Sequence, residues 1–205
     1  MHYSSLKKYG KNLSIAINTI NETLVLKLKD EIKSRIDSEN NIYLVGNGGS
    51  AANAHHIVGD YTKTFSIIGK SININSLSDN SCYLTAVSND LDYSAIYELL
   101  ISTRVKANDL VIFFSGSGNS LNLVKAARIA KKKGIKTAGI LGYSGGALID
   151  ILEIPIHVDI NDMEIAEDTQ IATFHYIKQL LFKELAEGED LMPKYNKRIG
   201  EDLIA

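Results

Sequence analysis

Two segments combine glycines with small hydroxyl side chains: Gly46-Asn47-Gly48-Gly49-Ser50 and Ser115-Gly116-Ser117-Gly118-Asn119-Ser120. Glycine allows backbone conformations that turn several N–H groups toward one point, and a helix that follows adds partial positive charge at its N-terminus. Neutral donors of this kind hold a phosphate and still release it. Neither spacing is the dinucleotide fingerprint. Neither segment contains Gly-Lys-Ser/Thr, and Gly69-Lys70-Ser71 elsewhere in the chain has Thr64 where the nucleotide P-loop needs its first glycine, which excludes that motif. Either segment alone is explained by a tight strand-to-helix turn. Two of them, each after a strand, point to a phosphate ligand.

His56 and Asp60 are four residues apart and share one helix face. Such a pair chelates a divalent metal, works as an acid–base pair, or makes a plain surface contact. His175 lies in the apolar stretch Ile171-Ala172-Thr173-Phe174-His175-Tyr176-Ile177, about two turns after Glu167 and Asp168. That setting suits a core histidine as well as a functional one. Asp90 follows Asn89 at a predicted helix end, where a carboxylate either caps the helix or hydrogen-bonds a sugar hydroxyl. His55 must face a different side of its helix from His56 and reads as structural or intersubunit.

The elements that must position these groups follow from periodicity. Residues 14–36 lack Gly and Pro, and Ile15, Ile17, Ile20, Leu24, Leu26, Leu28 and Ile32 recur at helical spacing. This predicts one long amphipathic helix ahead of the sheet, of the kind that packs on a partner subunit. Strands are predicted at 41–45, 71–75, 109–114, 136–141 and 154–158. Helices are predicted from Ser50, as N-cap, to about 65, and at 81–87, 93–105, 120–133 and 164–186. Most strands are continuous apolar runs, the mark of a parallel sheet covered on both faces. Ligands of such sheets sit at the strands' carboxyl ends, where both glycine–serine segments fall.

A chain of 205 residues, 45% hydrophobic and 22% charged, has enough apolar residues for a real core. The net charge of −2 offers no general attraction to nucleic acid or an anionic membrane. The single cysteine, Cys82, leaves no intramolecular disulfide and suits a reducing compartment. No signal-peptide core or membrane-length apolar run is seen, so the expected location is the cytoplasm, with neither nucleic acid nor membrane as partner.

Three phrases carry a family resemblance: Gly-Asn-Gly-Gly-Ser-Ala-Ala-Asn-Ala-His-His at 46–56, Leu-Thr-Ala-Val-Ser-Asn-Asp at 84–90 and Ser-Gly-Ser-Gly-Asn-Ser at 115–120. Together they resemble the sugar isomerase (SIS) domain and, within it, the phosphoheptose isomerase family. Gly142-Tyr143-Ser144-Gly145-Gly146 is similar to that family's Gly-x-x-Gly-Gly turn. The resemblance runs from about Tyr3 to Glu187. It implies an α/β fold, a three-layer αβα sandwich around a five-stranded parallel sheet. One SIS domain would span 1–188, including an N-terminal helical segment to about 38, with a tail at 189–205. It also implies a homotetramer with active sites between subunits.

The activity implied is conversion of sedoheptulose 7-phosphate to D-glycero-D-manno-heptose 7-phosphate through an enediol, the entry to heptose synthesis for lipopolysaccharide or capsule. By the same resemblance Ser50, Ser115, Ser117 and Ser120 hold the phosphate. Asn47, Gly48, Asn89 and Asp90 contact the sugar, and Glu164 lies near its hydroxyls. One zinc per subunit is implied on His56, Asp60, Glu167 and His175, with Asp60 as base and His175 as general acid or proton relay. Three positions depart from the family. Gly116 stands where threonine is usual, Asp60 is one methylene shorter than the usual glutamate, and Glu167 replaces a glutamine. Two alternatives remain: an isomerase of another phosphorylated sugar, and a non-enzymatic SIS scaffold that binds a replication initiator. The retained histidines and carboxylates argue against the scaffold.

Overall fold

Every residue of β1 (Ile42–Gly46) and β3 (Leu110–Ser115) is buried. A strand can bury both faces only when layers cover both sides of its sheet. The computed structural model, which describes residues 3–186, shows those layers. β2 (Ile74–Ser76), β4 (Lys136–Leu141) and β5 (Ile154–His157) complete a parallel sheet of order β2-β1-β3-β4-β5. Ile42 pairs with Leu110, and Phe114 with Ile140. Ile42, Leu44, Ile112, Phe114 and Ile140 face one layer, while Tyr43, Val45, Val111, Phe113 and Leu141 face the other. This two-sided burial is why the strands read as unbroken apolar runs.

The first layer consists of α1 (Leu6–Asn18), α2 (Glu22–Asp37), α3 (Gly48–Ile67) and α7 (Met163–Leu185). The second holds α4 (Ser81–Asp90), α5 (Ile96–Arg104) and α6 (Leu121–Lys132). The result is the expected αβα sandwich.

Several boundaries differ from expectation. The helix predicted over 14–36 is two helices. The Thr19 hydroxyl donates to the Ala16 carbonyl at 2.7 Å, and the Asn21 side chain caps α2 by accepting from the Thr23 and Leu24 N–H groups. A side chain that offers the backbone such bonds competes with continued helix. One face of α2 packs within the chain itself: Val25, Leu28, Ile32 and Ile36 are buried in its core. Leu6, Ile15, Ile17 and Leu26 are the exposed large apolar residues of this pair. Helix α4 continues through Asp90, which puts Asn89 and Asp90 in its last turn rather than in a loop. Helix α3 begins at Gly48 with Asn47 at the cap, so Ser50 lies inside the first turn. Strand β2 is shifted to Ile74–Ser76, and β5 ends at His157. Gly188 and the tail 189–205 lie outside the described residues.

The strand order reverses beside β1. The chain steps from β1 to β2 on one side and then returns to β3 on the other. This switch point opens a crevice at the carboxyl ends of β1 and β3, the two strands that carry the glycine–serine segments.

Helices α3 and α7 are locked over this crevice. Phe174 is 0% exposed, with its ring 5.0 Å from Phe114 and 5.9 Å from Tyr61 between centroids. The buried Tyr61 hydroxyl donates to the Phe174 carbonyl at 2.8 Å. Phe174→Ala is expected to cost about 3–5 kcal/mol, as for other buried aromatic truncations. Urea unfolding at fixed protein concentration measures it. A loss under about 1 kcal/mol would show that this contact does not hold α7.

Candidate active site

At the end of β1 the chain turns directly into α3. A Cβ at Gly46 would press on the Ser50 carbonyl, and the Tyr97 hydroxyl donates to the Gly46 carbonyl at 2.6 Å. After β3, Ser115 Oγ accepts from the Gly118 N–H at 2.9 Å and Ser117 Oγ from the Asn119 N–H at 3.3 Å. Gly118 has φ +65°, and a Cβ there would overlap the Gly145 carbonyl. The turn after β4 is thus packed against this loop. Ala147 N–H donates to Asn119 Oδ1 and Leu148 N–H to the Gly118 carbonyl.

Between the loops lies a cleft of about 270 Å³. Asn47, Gly48 and Ser50 line it from the first loop, and Ser115, Gly116, Ser117 and Ser120 from the second. Met163 and Glu167 of α7 close it. Met163 Sδ fills the space a side chain on Gly116 would need. The place of the family's threonine is therefore taken by a thioether from another element.

Sequence reasoning missed the amides that brace this cleft. Asn47 and Asn122 exchange side-chain hydrogen bonds of 2.9 Å each way, and the Tyr93 hydroxyl also donates to Asn47 Oδ1. Asn47, expected to contact sugar, is engaged within the protein. Gln170 is 0% exposed and donates to Ser50 Oγ at 3.2 Å. Asn53 donates to Gln170 Oε1 and to the Glu167 carbonyl, both at 2.9 Å. The available signal was a polar residue on an apolar stripe: Asn122 beside Leu123 and Ala126 on α6, and Gln170 with Ala166 and Phe174 on α7. Buried amides of this kind must find partners.

Glu167 does not join the histidines. It precedes His175 by two helical turns, about 12 Å along the axis. Its carboxylate lies against Gly49, where a Cβ would overlap it, beside the Ser50 backbone N–H and hydroxyl. The N-terminus of α3 attracts a carboxylate through its unpaired N–H groups and dipole. Burial pushes the Glu167 carboxyl above its ordinary range. Ser50 pulls it down, the charges of Glu164 and Asp168 push it up, and the net shift is upward.

The structure does gather the other three candidates. His56 Nε2 and His175 Nε2 are 3.2 Å apart, and Asp60 Oδ2 is 3.9 Å from His175 Nε2. One ligand atom from each lies within 4.8 Å of the others. Tetrahedral zinc with donors at about 2.0–2.1 Å has donor separations of about 3.3–3.4 Å. Two imidazoles and a carboxylate at these distances fit a divalent cation with one position left open. Lys178 completes the cluster by donating to Asp60 Oδ2, and Lys63 Nζ lies 3.4 Å from Oδ1. Burial raises the Asp60 carboxyl, but Lys178 and Lys63 outweigh it and hold the group below the usual carboxylate range. Burial, helped by Lys178 and His56 and opposed by Asp60, lowers His175 below the ordinary imidazole value. Neutral His175 is the form that ligates or accepts a proton.

Three expected contacts stand apart from the cleft. Asn89 donates to Asp90 at 2.9 Å, both exposed, and neither lines it. Glu164 is exposed in the first turn of α7. His55 Nε2 lies 3.1 Å from Ser78 Oγ.

Residues 8–142 match the SIS domain family. A phosphoheptose isomerase of Geotalea daltonii is 30% identical over 184 residues, covering 90% of this chain and 92% of its own. A second, from a Geobacter species, is 33% identical over 146 residues, covering 71% and 76%. The fold is also that of the phosphoheptose isomerase structure from Neisseria gonorrhoeae, with a TM-score of 0.76 at 20% identity over 83% of this chain and 91% of that one. The chain belongs to the phosphoheptose isomerase family of SIS-domain proteins and is a sugar phosphate isomerase.

Gly118→Ala would force a left-handed backbone on alanine and drive its Cβ into the Gly145 carbonyl. We expect a loss of about 1–3 kcal/mol and at least about tenfold weaker inhibition by inorganic phosphate, since the loop must move. Unchanged inhibition would separate this loop from the phosphate. Glu167→Gln tests the second carboxylate. A carboxyl raised in the folded state makes stability fall as pH climbs from the ordinary carboxylate range through the folded value. The glutamine protein is expected to be the more stable at pH 7, by under about 1 kcal/mol because water screens the group. The difference closes below about pH 4. Urea melts at the two pH values read it, and a less stable glutamine protein at pH 7 contradicts the upward shift.

Proposed function

We propose that the protein isomerises sedoheptulose 7-phosphate to a D-glycero-D-manno-heptose 7-phosphate and so feeds heptose synthesis for lipopolysaccharide or capsule. One observation carries this reading: the same two helices, α3 and α7, hold a phosphate cleft at one level and an acid–base cluster at another. Ser50 and His56 are six residues apart on α3, about 9 Å along its axis. A seven-carbon sugar phosphate bridges that span, with phosphate at the loops and its carbonyl end at the histidines. A three-carbon phosphate does not.

In this reading Ser115, Ser117, Ser120 and Ser50 hold the phosphate with neutral donors and the α3 N-terminus. Asp60, ionised, takes the proton from the carbon next to the carbonyl. His175, neutral, relays a proton between the two oxygens of the enediol. A divalent cation held by His56, Asp60 and His175, for which zinc fits the donors, would polarise the carbonyl and steady the enediolate charge. Glu167 serves substrate binding from the cleft rather than the cation. Asn89, Asp90 and Glu164, away from the cleft in one chain, are the residues a homotetramer would bring to neighbouring sites.

Among the described residues no helix is long and apolar enough to cross a membrane. We place the activity in the cytoplasm and treat 1–188 as one SIS domain with the tail 189–205 outside it. Met163 over Gly116 alters the cleft wall relative to the family, and this favours testing other ketose phosphates beside sedoheptulose 7-phosphate.

NMR of the purified protein with sedoheptulose 7-phosphate should show aldose signals growing in. Absence of conversion, with and without added zinc, sinks the substrate assignment. Asp60→Asn and His175→Gln should each lower kcat by about 10²–10⁴ while inorganic phosphate still inhibits. Full activity in either variant removes that residue from the proton path.

A further inference from the structure

Asp60 is claimed by more than one partner. Its Oδ2, the oxygen 3.9 Å from His175 Nε2, accepts from the Lys178 ammonium. Lys178 follows His175 by three residues, so the two stack on one face of α7. The Lys178 side chain is 19% exposed and that of Asp60 12%, whereas Lys63, on the other oxygen, is 45% exposed. The better shielded ammonium therefore sits on the oxygen that also faces the histidine.

For a cation bound among His56, Asp60 and His175, the Asp60 oxygen nearer His175 is that same Oδ2. It would then lie against the ammonium, and like charges repel more strongly where water is partly excluded. Lysine's four-carbon stem is flexible, so the ammonium can swing away while the carboxylate stays. We propose that Lys178 is a built-in competitor for the divalent cation: it occupies Asp60 Oδ2 and must leave before a cation can take that oxygen. The inference rests on the reading above that these three residues hold a cation. It makes Lys178 a positioning residue that keeps the carboxylate in place and weakens the site for metal.

The test uses the full chain stripped with a chelator. Cobalt(II) is followed by its visible absorption, and zinc(II) by competition with a chromophoric chelator. Lys178→Met should bind both ions at least about tenfold tighter than the wild type, and Lys178→Gln should move the same way. Lys178→Arg, which keeps the charge, should stay within about threefold of the wild type. His175→Ala should abolish binding in either background, which ties the signal to this cluster. Circular dichroism and size-exclusion mass confirm that each variant keeps the wild-type fold. Equal affinities in wild type, Lys178→Met and Lys178→Gln overturn the competition but leave the cation site standing. No binding in the wild type or in either neutral variant overturns the cation site itself, and this inference with it.

Discussion

The candidate site exists because α3 and α7 are pinned to one another above the sheet. The Tyr61 hydroxyl donates to the Phe174 carbonyl, and the Phe174 ring packs on Phe114 of β3. Asp60 precedes Tyr61 and His175 follows Phe174, so the lock sets the distance between the two functional side chains. A buried hydroxyl and a buried carbonyl without each other would each carry a desolvation cost. The cluster inherits its geometry from that cost, since its own members are partly exposed and could not hold it alone.

The cleft between the glycine–serine loops is braced differently. Side-chain amides tie its walls together. Asn47 and Asn122 tie one loop to the helix after the other, while Gln170 reaches from α7 to Ser50. The turn after β4 supports the second loop from behind, close enough that only glycine fits at 118. The result is a set of N–H and hydroxyl donors held in place before any ligand arrives, which lowers the ordering cost of binding.

Charge divides the site in two. At the cleft the N-terminus of α3 already faces the Glu167 carboxylate, while at the histidines Lys178 and Lys63 face Asp60. Each half has a counter-charge of its own protein near the place where a ligand would bring one. The three positions that the sequence resemblance marks as departures, Glu167, Asp60 and Gly116, all lie at or beside these contacts.

Much was legible in the sequence alone. Continuous apolar strands announced a sheet covered on both faces, since backbone pairing and burial leave no other arrangement. The two glycine–serine segments announced strand-end loops, because their residues serve little else. His56 and Asp60 shared a face by helical period. Other features were decided only by tertiary structure. The break at Thr19–Asn21 hides in an apolar pattern that continues through it, because capping depends on a side chain's choice of partner rather than on periodicity. Glu167 turns to the α3 N-terminus and not to His175 because a field from another helix reaches it. Lys178 looks like any surface lysine in the chain, 118 residues from Asp60. Only the packing of α7 on α3 brings that ammonium to that carboxylate, and no local pattern records a contact between residues so far apart.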